Sequence, residues 1–422
     1  MYIQLSMTRT TNILSFLLLT TGLFIGNKAV SQSTAKGSSN FDLQLNTITT
    51  AVPFLLISPD SRASAMGDLG VATSPDINSQ HWNASKYVFA EEKSGVSFSY
   101  SPWLRSLGIN DINLVYLAGY KKLNRNSSIS GSMRYFSLGE INFTDNTGAP
   151  IKTANPKEFA FDVAYAARLG KNLSGSMTAR FINSNLTEGL TANGVDTKPG
   201  RSFAIDLGMF YSSKKFDIGD YKSTLNVGMN ISNIGAKISY TNSATEDFLP
   251  ANLRLGTVLN MDIDKYNDFS IGVDFNKLLV PTPPALLRTD PNEIAAGRRG
   301  DIGVAPAIFG SFSDAPGNVL YDDNDVLIGV EEGSVLKEEL REINISLGME
   351  YTYAERFSVR AGYFHEHFTK GNRRYVTMGV GLKYSRFLLD FSYLVTVTNQ
   401  NPLANTIRFS LAFNLGEDAA SE

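Results

Sequence analysis

Cysteine is absent from the 422-residue chain. That excludes a disulfide scaffold, a thiolate metal site, a cysteine nucleophile and a lipidated cysteine anchor. Histidine is scarce, with only His81, His365 and His367. A Ser-His-Asp set is hard to assemble from so few, and no Gly-x-Ser-x-Gly elbow occurs. No enzyme is expected, and no catalytic residue, cofactor or metal site is assigned. Neither charge sign dominates: 38 Lys and Arg face 41 Asp and Glu, for a net charge of -3. Nothing therefore points to a nucleic-acid partner. Beyond the N-terminus there is no apolar run long enough for a membrane-spanning helix.

The N-terminus itself reads as a secretory signal over residues 1–31. Arg9 precedes the apolar run Ile13 to Gly26, and Ala29 and Ser31 stand at the -3 and -1 positions of a cut before Gln32. The pair His365 and His367 would share one face of a strand. That spacing suits a metal ion, but no third ligand is evident, and rings of this kind also gather at membrane interfaces.

From Ser94 onward the chain alternates with period two. In "EFAFDVAYAARL", Phe159, Phe161, Val163, Tyr165, Ala167 and Leu169 share one face; Asp162 and Arg168 lie on the other. Fourteen such segments occur, near 94–101, 110–121, 127–138, 157–169, 172–185, 201–212, 223–234, 251–263, 268–280, 341–353, 356–368, 374–385, 387–398 and 404–415. Most run ten residues or more, the length of a strand that crosses a bilayer rather than a globular one. The apolar phase carries almost no charge. The other phase carries Arg134, Asp162, Arg168, Arg180, Asp206, Arg254, Asp274, Glu350, Arg360, Lys383, Asp390 and Arg408. An Arg or Lys facing lipid at the midplane costs about 2–4 kcal/mol, so the split fits a lipid-facing wall. Long and short links alternate along the chain, as outer loops and periplasmic turns do in outer-membrane barrels. An even strand count puts both termini on the periplasmic side.

The expectation is an all-β, transmembrane antiparallel β-barrel of about 14 strands over 94–416. Residues 417–422 would form a C-terminal tail. A barrel of that size encloses space that must hold water, a ligand or a plug. Residues 32–93 are expected to supply an N-terminal hatch at the periplasmic mouth, or else a flexible leader. Within it "SPDSRASAMGDLGVA" offers small residues for close packing. Arg62, Asp60 and Asp68 are expected to pair with lumenal charges, with Met66 beside them.

One long external loop spans 281–340. It opens with the proline-rich "PTPPALLRTDP", unsuited to a strand. It holds the apolar stretch Ile302 to Phe312, in which Ile302, Ile308, Phe309 and Phe312 form a candidate docking patch or a lid. Arg298, Arg299, Lys370, Arg373 and Arg374 fall on the outer side, as solvated loop charge or as contacts for lipopolysaccharide phosphates.

Several stretches resemble the PorV family of the type IX secretion system of Bacteroidetes. They are "PFLLISPDSRASAMGDLGVATSPDINSQHWNASKYVF" (Pro53 to Phe89), "FGSFSDAPG" (Phe309 to Gly317), "LKEELREINISLGMEY" (Leu336 to Tyr351), "VRAGYFHEH" (Val359 to His367) and "NQNPLANTIRFSLAFN" (Asn399 to Asn414). The chain departs from the related Trp-Asn-Pro-Ala pattern by having Ala84 and Ser85 after Asn83. The resemblance implies a FadL-like barrel, integral to the outer membrane of a Gram-negative bacterium. It implies a shuttle: cargo is bound by its C-terminal signal domain, taken from an SprA-type translocon and carried to attachment machinery that includes a sortase-like protein. Outer-membrane lipid or lipopolysaccharide would be a further partner. Two other barrel roles stay open, a FadL-like transporter of fatty acids or other hydrophobic compounds and a PorQ-like member of the attachment machinery. A lipid-modifying enzyme such as a deacylase finds no catalytic set.

Overall fold

Alternation of this kind leaves every strand needing a partner on both edges. The computed structural model satisfies that need by closing the sheet. It describes residues 45–416 except 106–107, 145–146, 190, 193–194, 243–245 and 398–402. The expected signal segment and C-terminal tail lie outside the described residues.

The wall strands are β1 (Ser94–Pro102), β2 (Ile112–Asn124), β3 (Ser127–Leu138), β4 (Lys157–Arg168), β5 (Leu173–Asn185), β6 (Gly200–Ser212) and β7 (Tyr221–Gly235). They continue as β8 (Asn252–Asp262), β9 (Asn267–Leu278), β10 (Asn344–Tyr353), β11 (Phe357–His365), β12 (Arg374–Tyr384), β13 (Phe387–Thr396) and β14 (Thr406–Asn414). Each pairs antiparallel with its neighbours in sequence, and β1 pairs with β14 from Gly95↔Asn414 to Tyr100↔Phe409. The result is a closed 14-stranded barrel with no free edge. One bulge interrupts the β6–β7 ladder between Ile205 and Leu207. No described helix is long and apolar enough to cross a membrane.

The links at one end are short: 125–126, 169–172, 213–220, 263–266, 354–356 and 385–386. At the other end they are 103–111, 139–156, 186–199, 236–251, 279–343, 366–373 and 397–405. The long-link end is the outer mouth by the rule that holds for such barrels. The two faces divide as the period requires. Phe161, Val163, Tyr165, Phe203 and Met177 are exposed on the outside. Arg134, Asp162, Arg180, Asp206, Arg254, Asp274, Glu350, Arg360, Asp390 and Arg408 are all buried inside. Arg168 and Lys383 are half-buried at the inner rim. Charges held out of water must be paired. Arg180 bridges Asp162 (2.7 Å) and Asp206 (2.9 Å); Arg360 bridges Glu350 (2.5 Å) and Asp390 (2.6 Å).

Candidate functional site

The lumen is filled by the chain itself. Residues 51–90 run through it in short turns: 3-10 helices at Pro53–Leu56 and Ala84–Phe89, and α1 (Ser61–Ser64) and α2 (Ser79–Trp82). Side-chain caps hold two of these turns, at Ser61–Ser64 and Ala84–Phe89. Asp60 Oδ1 accepts from Ala63 N at 3.0 Å, and its Oδ2 accepts from Trp82 Nε1 at 2.7 Å. Asn83 Oδ1 accepts from Ser85 N and Oγ, and these two bonds tie the turn.

The wall grips this hatch in two ways. The first is polar. Arg62 makes a two-pronged contact with Glu350 (3.1 and 2.8 Å) and reaches Asp76 at 2.9 Å. Asp274 Oδ2 accepts from Gly70 N and Val71 N, and Arg134 donates to the carbonyls of Phe54 and Leu55. Thr377 Oγ1 accepts from Gly67 N and donates to Ala65 O.

The second is a belt of wall glycines. Gly272, Gly348 and Gly362 are direct cross-strand neighbours on β9, β10 and β11, as are Gly228 and Gly256 on β7 and β8. A Cβ on Gly362 would sit 2.1 Å from Gly67 N, and one on Gly228 would sit 2.2 Å from Val71 O. Only bare backbone fits there. Gly67 itself has φ +69, a left-handed conformation that glycine alone adopts freely, with its missing Cβ 2.6 Å from Tyr363 N.

The structure corrects four expectations. The hatch is not confined to the periplasmic mouth. Its first described residues lie at the outer one, where Asn46 N donates to Thr369 O (3.0 Å) and Asn46 Nδ2 donates to Pro283 O (3.0 Å) and Glu338 Oε1 (3.1 Å). It ends at the inner one, where Tyr120 donates to Glu92 O. Of Arg62, Asp60 and Asp68, it is Arg62 that forms an ion pair with a wall charge. Asp60 serves the hatch internally, and Asp68 accepts from Tyr375 Oη at 2.5 Å. Met66 is buried against the wall at Gly348 and Gly362. His365 closes β11 while His367 lies beyond it, and each meets its own local partner, Tyr363 and Thr369. Among the described residues, no three His, Asp or Glu are placed to hold a metal ion. Finally, Lys370 and Arg373 are not loose outer charges, because Glu338, Glu342 and Glu366 engage them.

Below the hatch, a chamber of about 600 Å³ opens at the inner mouth, lined in part by Arg62, Asp76, Tyr120, Arg360 and Asp390. Above it, the 279–343 link forms a cap with α3 (Val304–Gly310), α4 (Ser334–Arg341) and two small hairpins, Ala285–Leu286 with Ile294–Ala296 and Val319–Tyr321 with Leu327–Val330. A buried ionic cluster fastens the cap. Lys277 bridges Glu339 (3.0 Å) and Glu342 (2.6 Å); Lys370 bridges Glu338 (2.6 Å) and Glu342 (2.9 Å). The cap also exposes apolar side chains, with the Phe312 ring beside the cluster at 5.9 Å from Lys277 Nζ. Phe309 is 79% exposed and Phe312, Leu336 and Leu340 are exposed, while Ile302 and Ile308 are half-buried. Leu336 and Leu340 were not singled out in the sequence. Their i, i+4 spacing in "SVLKEELRE" was the available signal.

These features define an outer-membrane-type β-barrel stoppered by its own N-terminal segment and capped at its outer mouth. The family model described as type IX secretion system protein PorV matches residues 40–285, more than half of the chain, and the chain belongs to that family. The cap beyond residue 285 lies outside that match. No curated protein matches the chain. Similar solved structures include the Pseudomonas putida toluene transporter TodX, at 10% identity over 87% of this chain and 98% of that one, with a TM-score of 0.47. Others are the Ralstonia pickettii toluene transporter TbuX (10%, 88% and 98%, 0.44) and a Pseudomonas aeruginosa FadL homologue (10%, 87% and 99%, 0.38). At such scores the likeness extends no further than barrel shape.

Proposed function

We propose that this protein carries cargo in type IX secretion from an integral position in a Gram-negative outer membrane. It binds the C-terminal signal domain of secreted proteins at its outer mouth. It takes them from a translocon of the SprA type and passes them to the attachment machinery with its sortase-like protein. In this role it is neither the pore nor an enzyme. The observation that carries the reading is the pairing of a filled lumen with an apolar outer cap. The lumen is packed with hatch and paired charge, which supports a carrier over a conduit for fatty acids or toluene-like compounds. The cap is pinned by buried ion pairs and exposes apolar side chains, as a docking platform requires.

The test replaces Phe309 and Phe312 with Ser, with Ile308→Ser added. Recovery of a tagged cargo C-terminal domain with the purified barrel is expected to fall at least tenfold. The barrel's heat-dependent gel migration is expected to be unchanged. Full recovery would leave the patch as a mere lid surface.

A further inference from the structure

The cap hairpin Val319–Tyr321 with Leu327–Val330 forms a sheet of its own, joined to no third strand among the described residues. A two-stranded hairpin in water is marginal by itself, and its free edges are templates for another strand. Its side chains make the invitation stronger. Leu320, Val326, Leu327, Ile328 and Val330 are all exposed, Ile328 to 66%. Around them stand Asp322, Asp323, Asp325, Glu331 and Glu332, with no Lys or Arg between Asn318 and Gly333. One cation is supplied from outside this stretch: Arg288 bonds Asp325 at 2.9 Å and lies 4.5 Å from the Tyr321 ring. That contact props the hairpin from the neighbouring turn and leaves four other acids around it.

We propose that this hairpin is a strand-addition site for cargo: an extended segment with alternating apolar residues and Lys or Arg at its ends lies along one edge. Main-chain hydrogen bonds would extend the ladder, the apolar side chains would cover Ile328 and its neighbours, and the basic ends would meet the acids. The inference rests on the docking role above and says where and how cargo is recognised.

The probes are three fluorescent ten-residue peptides: Val-Thr alternation with Lys ends, the same core with Glu ends, and the Lys-ended peptide with a central Pro. Binding to the full-length barrel in neutral detergent is read by polarisation. The Lys-ended peptide is expected to bind at least tenfold tighter than either other, and more weakly as salt rises. In the Asp322→Lys, Asp323→Lys double variant, the Glu-ended peptide is expected to bind best. Equal binding of all three, or an order that survives the charge swap, overturns the proposal. So does concentration-dependent pairing of the barrel lost on Ile328→Lys, since the occupant would then be a second copy. If the peptides fail while the cargo domain is still recovered, this placement falls and the docking role stands. If cargo recovery fails too, both fall.

Discussion

Gly362 shows how single positions set the closure of this barrel. Its neighbours along the belt leave room for hatch backbone and nothing else. Gly362→Val would force the Met66–Gly67 peptide or β11 aside, a clash of the kind that costs about 1–3 kcal/mol. The expected result is a barrel that still closes but whose hatch is loosened, read as intermittent ion conductance and a lower urea midpoint. An unchanged midpoint with no openings would show that the hatch is not seated against β11. Such a role was hidden in the sequence. A glycine in an alternating strand reads as a weak point or a bulge, and only the hatch backbone packed against it in the lumen explains it. Arg62 was easier: one cation amid small residues needed an acid, but its choice of Glu350 came from the fold.

At the level of elements, strands were legible and the cap was not. All fourteen wall strands follow from period two, because an exposed apolar face alternates with a buried polar one along them, and the bulge between Ile205 and Leu207 is a local break. The helix α4 has no such signature. "KEELRE" reads as a solvated charged face, yet Glu338, Glu339 and Glu342 are buried by Lys277 and Lys370, which come from β9 and the 366–373 link. Asp314 belongs to the same cluster. Burial, with the charges of Glu339 and Glu342, outweighs a hydrogen bond to Thr282 and pushes its carboxyl up to about 6 from 3.8. A raised folded value means the folded cap binds the proton more tightly than the open one does. Its attachment therefore weakens as pH rises from about 4 to about 6 and stays weaker above. Asp314→Asn should remove that loss. The measurement is the ratio of cap cleavage rates, wild type over variant, at each pH. It should be near one at pH 3 and several-fold at pH 7.5. A constant ratio would count against this assignment.

For the whole molecule, the question is whether the wall alone holds a pore shut. Fourteen strands leave a lumen that side chains from the wall do not fill. Deleting residues 33–66 removes Arg62, Ala65 and Met66, and with them the contacts on Glu350, Thr377 and the glycines of β10 and β11. Single-channel conductance should rise from a closed baseline to that of a water-filled pore. A baseline that stays closed would mean that the remaining segment, with Trp82 and Lys86, suffices as a stopper.

The hatch has a second consequence, which is mechanical. It is strung from mouth to mouth: one end runs straight into β1, and the other is tied through Asn46 to Glu338, Pro283 and Thr369. A body that shifts the cap must snap the two bonds from Asn46 to Pro283 and Glu338 or haul on the cord within, so a touch at the outer mouth is felt inside the barrel.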